Sequence, residues 1–258
     1  MTFSGQSIIV TGGARGLGRG IAAAFAQAGA SVLICDVNET GARAAAAEIS
    51  AAAAGTVTAT AADVSDPADV RRLVDRGIAE FGRLDHLVNN AGIVTIAPLV
   101  QTSAADWDRV LAVNLRGVFL TTKAALPHML LAGSGSIVNI ASQAGKRPNR
   151  YICAYNASKA GVISLTRTAA VEAAPRVRVN CVCPGFIDTE LQEEEYDVVS
   201  ALTGEPKDAI RKSWLASMPL GQFQSVPDVA AAVLFLASPA AAQITGEALN
   251  VSGGLVME

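Results

Sequence analysis

Tyr155 and Lys159 stand four apart in the stretch Tyr155-Asn156-Ala157-Ser158-Lys159. Helical spacing puts both side chains on one face. Ser142 lies thirteen residues before Tyr155, just past an apolar run, and Asn114 lies inside a long helical pattern upstream. These residue types suit the reduction of a carbonyl, which needs a hydride on carbon and a proton on oxygen. A tyrosine can supply the proton, although a phenol ordinarily titrates near 10. Acting near neutral pH takes a shift of roughly 3 units, on the order of 4 kcal/mol. A lysine beside the phenol and the positive ring of an oxidised nicotinamide both have the sign required. Ser142 can donate to the substrate oxygen and hold it. Asn114, a polar residue within a helix, could hold a water in a proton relay. Read singly, Tyr155 fits a core tyrosine and Lys159 a surface charge; read with the turn described next, they form a site.

That turn is Thr11-Gly12-Gly13-Ala14-Arg15-Gly16-Leu17-Gly18, placed between the first apolar run and the first helical pattern. Gly12, Gly16 and Gly18 allow a tight turn and close approach to a pyrophosphate, which meets the N–H groups opening the helix. Arg15 and Leu17 belong to the same contact region. Asp36 closes the second run, where a carboxylate can accept from an adenosine ribose 2′-hydroxyl and repel the 2′-phosphate of NADP. A cap for the helix beginning near Glu39 is the other reading of Asp36. Arg15 could accept that phosphate, but a fixed carboxylate is the harder obstacle, so NAD is expected rather than NADP. Asp63 and Val64 follow the third run, where adenine should lie. Asn89, Asn90, Ala91 and Gly92 follow the fourth; the small residues allow approach to the ribose, and the asparagines can tie strand ends together.

The elements that must position these groups follow from periodicity. Apolar runs at Ser7–Val10, Val32–Cys35, Thr56–Ala61, Asp85–Asn89, Ser136–Ile140, Arg178–Val182 and Ala248–Val251 alternate with helical patterns. The helices are expected at Gly18–Ala28, Glu39–Ala53, Pro67 to about Phe81, Asp106–Leu131, Tyr151–Ala174 and Pro227–Ala237. Such βαβ alternation with near-continuous apolar strands predicts an α/β fold, a parallel sheet covered by helices on both faces, in one domain over 1–258. Ligands then bind beyond the carboxyl ends of the strands. The stretch 186–217 breaks the rhythm, with Glu193-Glu194-Glu195, Gly204, Pro206 and Trp214 and only broken helical patterning. Its departure from a strand's carboxyl end points to a substrate-covering lid; a surface helical hairpin is the alternative.

Composition narrows the function classes. The 258 residues are 51% hydrophobic and 17% charged, with a net charge of −3 and no basic tract, so nucleic-acid binding is not expected. No apolar stretch reaches the roughly 20 residues needed to span a bilayer, and Met1–Gln6 lacks the features of a signal peptide, so a cytoplasmic protein is expected. Of the four cysteines, Cys181 and Cys183 would share one strand face. With His86 and His128 in unrelated segments, buried thiols fit better than a metal site, and no metal is expected.

Thr11–Gly18, Asn89–Gly92, Asn114, Ser142, the Tyr155/Lys159 pair and Pro184-Gly185 together resemble the short-chain dehydrogenase/reductase family. The resemblance extends to Gly253-Gly254. It implies a doubly wound Rossmann-type sheet of seven strands in the order 3-2-1-4-5-6-7. It also implies a tetrad of Asn114, Ser142, Tyr155 and Lys159, with Tyr155 and Lys159 also at the cofactor and the lysine gripping the nicotinamide ribose. The stretch matching Pro184–Thr189 holds the carboxamide, through Ile187 and Thr189. A homotetramer or homodimer is implied, assembled through the two long helices at 106–131 and 151–174.

The substrate is less legible. Ser142-Gln143-Ala144-Gly145 and the C-terminal Asn250–Met257 are similar to members acting on sugar alcohols and vicinal diols, such as sorbitol or acetoin/butanediol dehydrogenases. Gln143 could bind a second hydroxyl or simply cap a turn. Tyr151, Cys153 and Phe186 could wall a small pocket. The Glu193–Glu195 run argues against strongly anionic substrates and equally fits a solvated helix face. The rival readings are an NADP(H)-dependent 3-oxoacyl-thioester reductase, a sugar or steroid alcohol dehydrogenase, and a cofactor-sensing protein without turnover.

Overall fold

A computed structural model describes residues 1–258, apart from the side chains of Glu190 and Leu191. Seven parallel strands form one sheet in the order β3-β2-β1-β4-β5-β6-β7. They are β1 (Ser7–Thr11), β2 (Ser31–Asp36), β3 (Val57–Ala61), β4 (His86–Asn89), β5 (Gly135–Ile140), β6 (Val177–Pro184) and β7 (Ala248–Val251). The parallel sheet is the one the alternation predicts, and its Rossmann-like order is the one the family resemblance implies. All five residues of β1 are buried. Their alternation divides the interior: Ile8 and Val10 enter one core and Ile9 the other. The first core packs α1 (Gly16–Gln27), α2 (Glu39–Ala52) and α9 (Val226–Ala237) through Ile21, Phe25, Ala42 and Val229. The opposite face packs α3 (Pro67–Phe81) and α5 (Gly117–Ala132) through Leu73, Val74, Ala125 and Met129. Under α6 (Cys153–Ala173) a smaller cluster joins Val162, Ile163, Cys181 and Cys183, so the two thiols share a face and are buried.

Local signals explain most boundaries. Asp66 caps α3 by accepting from Ala68 N–H, Pro67 opens it, and Gly82 ends it at φ 74°. Ser225 and Asp228 form a capping box at the start of α9. Two expectations need correction. The helix expected over 106–131 begins earlier, as α4 (Ala104–Leu111), and reaches α5 through a π turn over Ala112–Arg116. Such turns commonly mark functional positions, and this one carries Asn114. The stretch 186–217 holds two formed helices, α7 (Glu190–Thr203) and α8 (Lys207–Ala216), in place of broken pattern. Trp214 of α8 joins them to the loop after β6: Tyr196 of α7 lies 5.0 Å from its indole, and Phe186 stacks on it at 4.6 Å.

Strand order reverses between β1 and its neighbours β2 and β4, and the crevice at that reversal lies beyond the carboxyl ends of β1 and β4. No helix among the described residues is long and apolar enough to cross a membrane.

Candidate active site

The glycine turn leaves β1 and opens α1 at this crevice. Gly12 adopts φ 66°, and a Cβ there would stand 2.8 Å from Ala91 Cα. A Cβ on Gly18 would meet Gly12 O at 2.1 Å and Asn90 Nδ2 at 2.4 Å. The backbone can follow this path only with hydrogen at both positions. Asn90 then stitches the turn, donating from Nδ2 to Thr11 O and Gly12 O at 3.0 Å each. The N–H groups of Asn90 and Ala91 both donate to Thr11 Oγ1 at 3.0 Å. Asn89 Nδ2 donates to Asn139 Oδ1 at 2.8 Å, linking β4 to β5. The asparagines therefore tie the strand ends, as expected. Helix α1 starts at Gly16 with no side-chain cap and no acidic residue in its first turn. Its opening N–H groups and dipole thus suit an anion, and the cradle fits a dinucleotide pyrophosphate. Leu17 packs into the first core and fixes the helix on the sheet.

Asp36 is not the cap of α2. Asn38 fills that role, accepting from Gly41 N–H at 3.0 Å. Asp36 instead accepts from Ala14 N–H at 3.2 Å through Oδ2 and from Asn38 N–H at 3.0 Å through Oδ1. It is a fixed, partly open carboxylate beside the turn. Arg15 Nη1 lies 3.8 Å from Glu194 on α7. Asp63 accepts from Ser65 N–H and Oγ at 2.8 and 2.7 Å, and Val64 is buried close to Gly117. Gly92 joins the two halves of the site. A Cβ there would lie 3.4 Å from Asn114 Oδ1 and 3.6 Å from Lys159 Nζ.

Asn114 is fully buried. Its Oδ1 accepts from Ile93 N–H at 2.8 Å, while Nδ2 donates to Ile93 O at 2.8 Å and Ser158 Oγ at 3.1 Å. Both amide donors are spent on protein groups. The side chain thereby clamps the β4 loop onto α6. Lys159 reaches under the site, donating to Ile140 O at 2.7 Å, with Nζ 5.5 Å from the centre of the Tyr155 ring. Burial lowers the Lys159 ammonium to about 8.

Burial pushes the Tyr155 hydroxyl up to about 12, the negative charge of Glu195 adds to this, and a hydrogen bond with Ser142 pulls the other way. The protein alone thus moves the phenol opposite to the shift that acid–base work needs, and Lys159 does not reverse it. Ser142 is buried and its Oγ accepts from Ala144 N–H at 3.1 Å. Beneath these groups Cys181 donates to Cys183, which holds the Cys181 thiol up and the Cys183 thiol down.

A cavity of about 400 Å³ adjoins the Ser142–Tyr155 pair through Gln143 and Glu195; Tyr151, Phe186 and Trp214 wall it. Two of the three expected walls are present. Cys153 does not line the cavity; its Sγ lies 3.4 Å from Thr102 Oγ1. Tyr151 adopts φ 69°, a strained conformation for a bulky residue, and its carbonyl accepts from Ala97 N–H at 2.7 Å. Gln143 is not a capping amide: it is buried, and its Oε1 has no hydrogen-bond partner within the protein. Pro184 ends β6, and Gly185 N–H donates to Val251 O at 3.0 Å. Ile187 bridges to Gln224, and Thr189 precedes α7 with Oγ1 donating to Ile187 O at 3.4 Å. A larger cleft of about 670 Å³ runs along β7 and Val256–Glu258; no tetrad residue lines either space, and the smaller one is the nearer, through Gln143 and Glu195. Among the described residues no group of three or more His, Cys, Asp or Glu could hold a metal ion.

Sequence reasoning missed Glu195 as a lining residue, because Glu193-Glu194-Glu195 reads as one solvated run. The helical turn exposes Glu193 and Glu194 and swings Glu195 inward.

Comparisons with known proteins agree with this geometry. A family model described as Enoyl-(Acyl carrier protein) reductase matches residues 12–256. The D-threitol dehydrogenase of Mycolicibacterium smegmatis is 42% identical, over 99% of this chain and 95% of its own. The 3-oxoacyl-(acyl-carrier-protein) reductase of Thermotoga maritima is 38% identical over 100% of both chains. Among solved structures, an NAD+-bound xylitol dehydrogenase superposes with a TM-score of 0.95 at 28% identity, covering 98% of this chain and 100% of that one. With the sheet order and the glycine turn described above, these matches span nearly the whole chain, and it belongs to the short-chain dehydrogenase/reductase family, oxidoreductases that bind a nicotinamide cofactor.

Proposed function

We propose that the protein is an NAD(H)-dependent oxidoreductase interconverting a small polyol, sugar alcohol or vicinal diol with its ketone. The observation that carries this reading is the clustering of Ser142, hydrogen-bonded to Tyr155, with Lys159 Nζ 5.5 Å from the Tyr155 ring, next to a cavity lined by Gln143 and Glu195. Gly12, Arg15, Gly16, Leu17, Gly18, Asp36, Asp63, Val64, Asn90, Ala91, Gly92, Pro184, Gly185, Ile187 and Thr189 would hold the cofactor, with Lys159 and Tyr155 at its nicotinamide end. When bound, the nicotinamide supplies or accepts the hydride at the substrate carbon. Ser142 donates a hydrogen bond to the substrate oxygen and positions it. Tyr155 gives its proton to that oxygen in reduction and takes it back in oxidation. Its high free-site pKa makes it a held acid until positive charge arrives beside it. Lys159, charged and close to the ring, favours the phenolate that remains. Asn114 keeps the β4 loop and α6 in register, so its part is positioning.

The polyol reading rests on the polar lining of a small cavity and on the names of similar proteins, D-threitol dehydrogenase and xylitol dehydrogenase. The segment 186–217 serves as the substrate cover, since Phe186, Glu195 and Trp214 from it wall the cavity. NAD is favoured over NADP because Asp36, a carboxylate held beside the glycine turn, would repel a 2′-phosphate bound there. Assembly through the helices at 106–131 and 151–174 is supported by exposed Trp107, Phe119, Leu131 and Val171 on them. The second reading, 3-oxoacyl-thioester reduction with NADPH, is favoured by the T. maritima relative's name.

The test is NADH formation at alkaline pH across polyols, vicinal diols, sugars and hydroxyacyl thioesters, with NADP+ in parallel and Tyr155→Phe as control. Selective diol or polyol turnover with NAD+, lost in Tyr155→Phe while cofactor still binds, is the expected result. Thioester turnover confined to NADP+, or full activity of Tyr155→Phe, overturns it.

A further inference from the structure

Glu195 lines the cavity between the apolar Phe186, Val199, Ile210 and Trp214 and polar groups that include Gln143, Thr203 and Glu205. Its one hydrogen bond among the described residues comes from the buried Gln192, whose Nε2 donates to Oε2 at 2.9 Å. No Lys or Arg pairs with it among the described residues. Burial raises its carboxyl to about 7, and its charge acts on Tyr155. Gln143, 2% exposed, lines the same cavity, and its Oε1 has no donor within the protein. Above about pH 7 the cavity therefore presents two acceptors beside the Ser142–Tyr155 pair, Glu195 anionic and Gln143 Oε1 without a donor among the described residues. Leaving buried acceptors unmatched is costly, so a ligand bringing O–H or N–H groups is selected. Arg147 and Arg150 line the same cavity from its exposed side and disfavour a cationic ligand there.

We propose that Glu195 and Gln143 form the subsite that accepts hydrogen bonds from a substrate hydroxyl beyond the reacting carbon, making Glu195 a determinant of polyol specificity. This rests on the alcohol-oxidation reading above and adds the residue that would choose among alcohols. Glu193 and Glu194, exposed on the same helix, have no such part. A mono-alcohol of the same chain length leaves both acceptors unmatched and is rejected for that reason.

The experiment measures kcat/KM with NAD+ for 2,3-butanediol, erythritol and 2-butanol, using the full-length protein and the variants Glu195→Gln and Gln143→Leu. Each variant alters a different element, so a folding failure in one leaves the other informative. In Glu195→Gln the ratio of diol to mono-alcohol kcat/KM is expected to fall about 10- to 100-fold, mostly through KM, as for loss of a hydrogen bond to a charged group. Gln143→Leu lowers the same ratio by a smaller factor. An unchanged ratio in both variants, with the diol still turned over, overturns the subsite and leaves the alcohol reading standing. Wild-type preference for 3-amino-2-butanol over the diol, abolished in Glu195→Gln, also overturns it by assigning an ammonium site. No turnover of any alcohol by the wild type overturns the functional reading and the subsite with it.

Discussion

Replacing Asp36 by alanine tests the cofactor assignment most directly. In the structure the carboxylate is held by two main-chain N–H groups, at 3.2 and 3.0 Å, at the carboxyl end of β2 beside the glycine turn. Two effects follow from removing it. The adenosine ribose loses a hydrogen bond to a charged acceptor, worth about 1.5–3 kcal/mol, or about 10- to 150-fold in NAD+ affinity. The 2′-phosphate of NADP+ is freed from repulsion. Two unit charges 4 Å apart interact by about 1 kcal/mol in water and about 4 kcal/mol at an effective dielectric constant of 20. Asp36 is partly open to solvent, so the lower figure governs; with nearly two charges on the phosphate the gain is about 2 kcal/mol, near 30-fold. Together the NAD+/NADP+ ratio of kcat/KM should drop by about 10³ in Asp36→Ala. The assay is steady-state turnover of one alcohol with each cofactor, wild type against variant. A ratio within threefold of wild type would refute the reasoning and leave Asp36 as a brace for the turn.

Two further outcomes follow from geometry and charge. Gly18→Ala forces a Cβ to 2.1 Å from Gly12 O, and overpacking of this kind costs about 1–3 kcal/mol. Cofactor affinity by fluorescence titration should fall about 10- to 100-fold; unaltered affinity would show that the turn does not cradle the pyrophosphate. His86 is buried and bonded to Ser136 Oγ at 2.8 Å and Gln6 Oε1 at 2.9 Å, and burial lowers it to about 4. Its folded pKa lies below the unfolded value of about 6.5. The unfolded chain therefore takes up the proton first as pH falls, and about 3 kcal/mol of stability is lost between pH 6.5 and 4. Urea unfolding of His86→Gln should show a shallower loss over that window, and parallel curves for the two proteins would remove His86 from the account.

The fold was largely legible because parallel strands buried on both faces leave an unmistakable pattern. Ser7–Thr11 and Ser31–Asp36 are short apolar runs between helical periods, and glycine, proline and capping residues punctuate them. Local chemistry also marked the glycine turn, since Gly18 packs on Gly12 O six residues back, although the close approach of Gly12 to Ala91 is a tertiary contact. The helix boundaries at Pro67 and Phe81 were readable because Asp66, Pro67 and Gly82 act locally. The π turn at Ala112–Arg116 carries no such signal. It arises where Asn114 must meet Ile93 and Ser158, partners 21 and 44 residues away.

What the sequence by itself determined is the alternation, the turn and the spacing of Tyr155 with Lys159, all consequences of short-range periodicity. The tertiary structure decided the rest, because charge and hydrogen bonding depend on what packs against a group rather than on its neighbours in the chain. Asp36 can also be read as a cap until Asn38 is seen to cap α2. Tyr155 looks poised for a low pKa beside Lys159, yet burial and Glu195 raise it. Three consecutive glutamates look alike in sequence, and only the packing of α7 over the cavity separates Glu195, facing the reacting groups, from Glu193 and Glu194 in solvent.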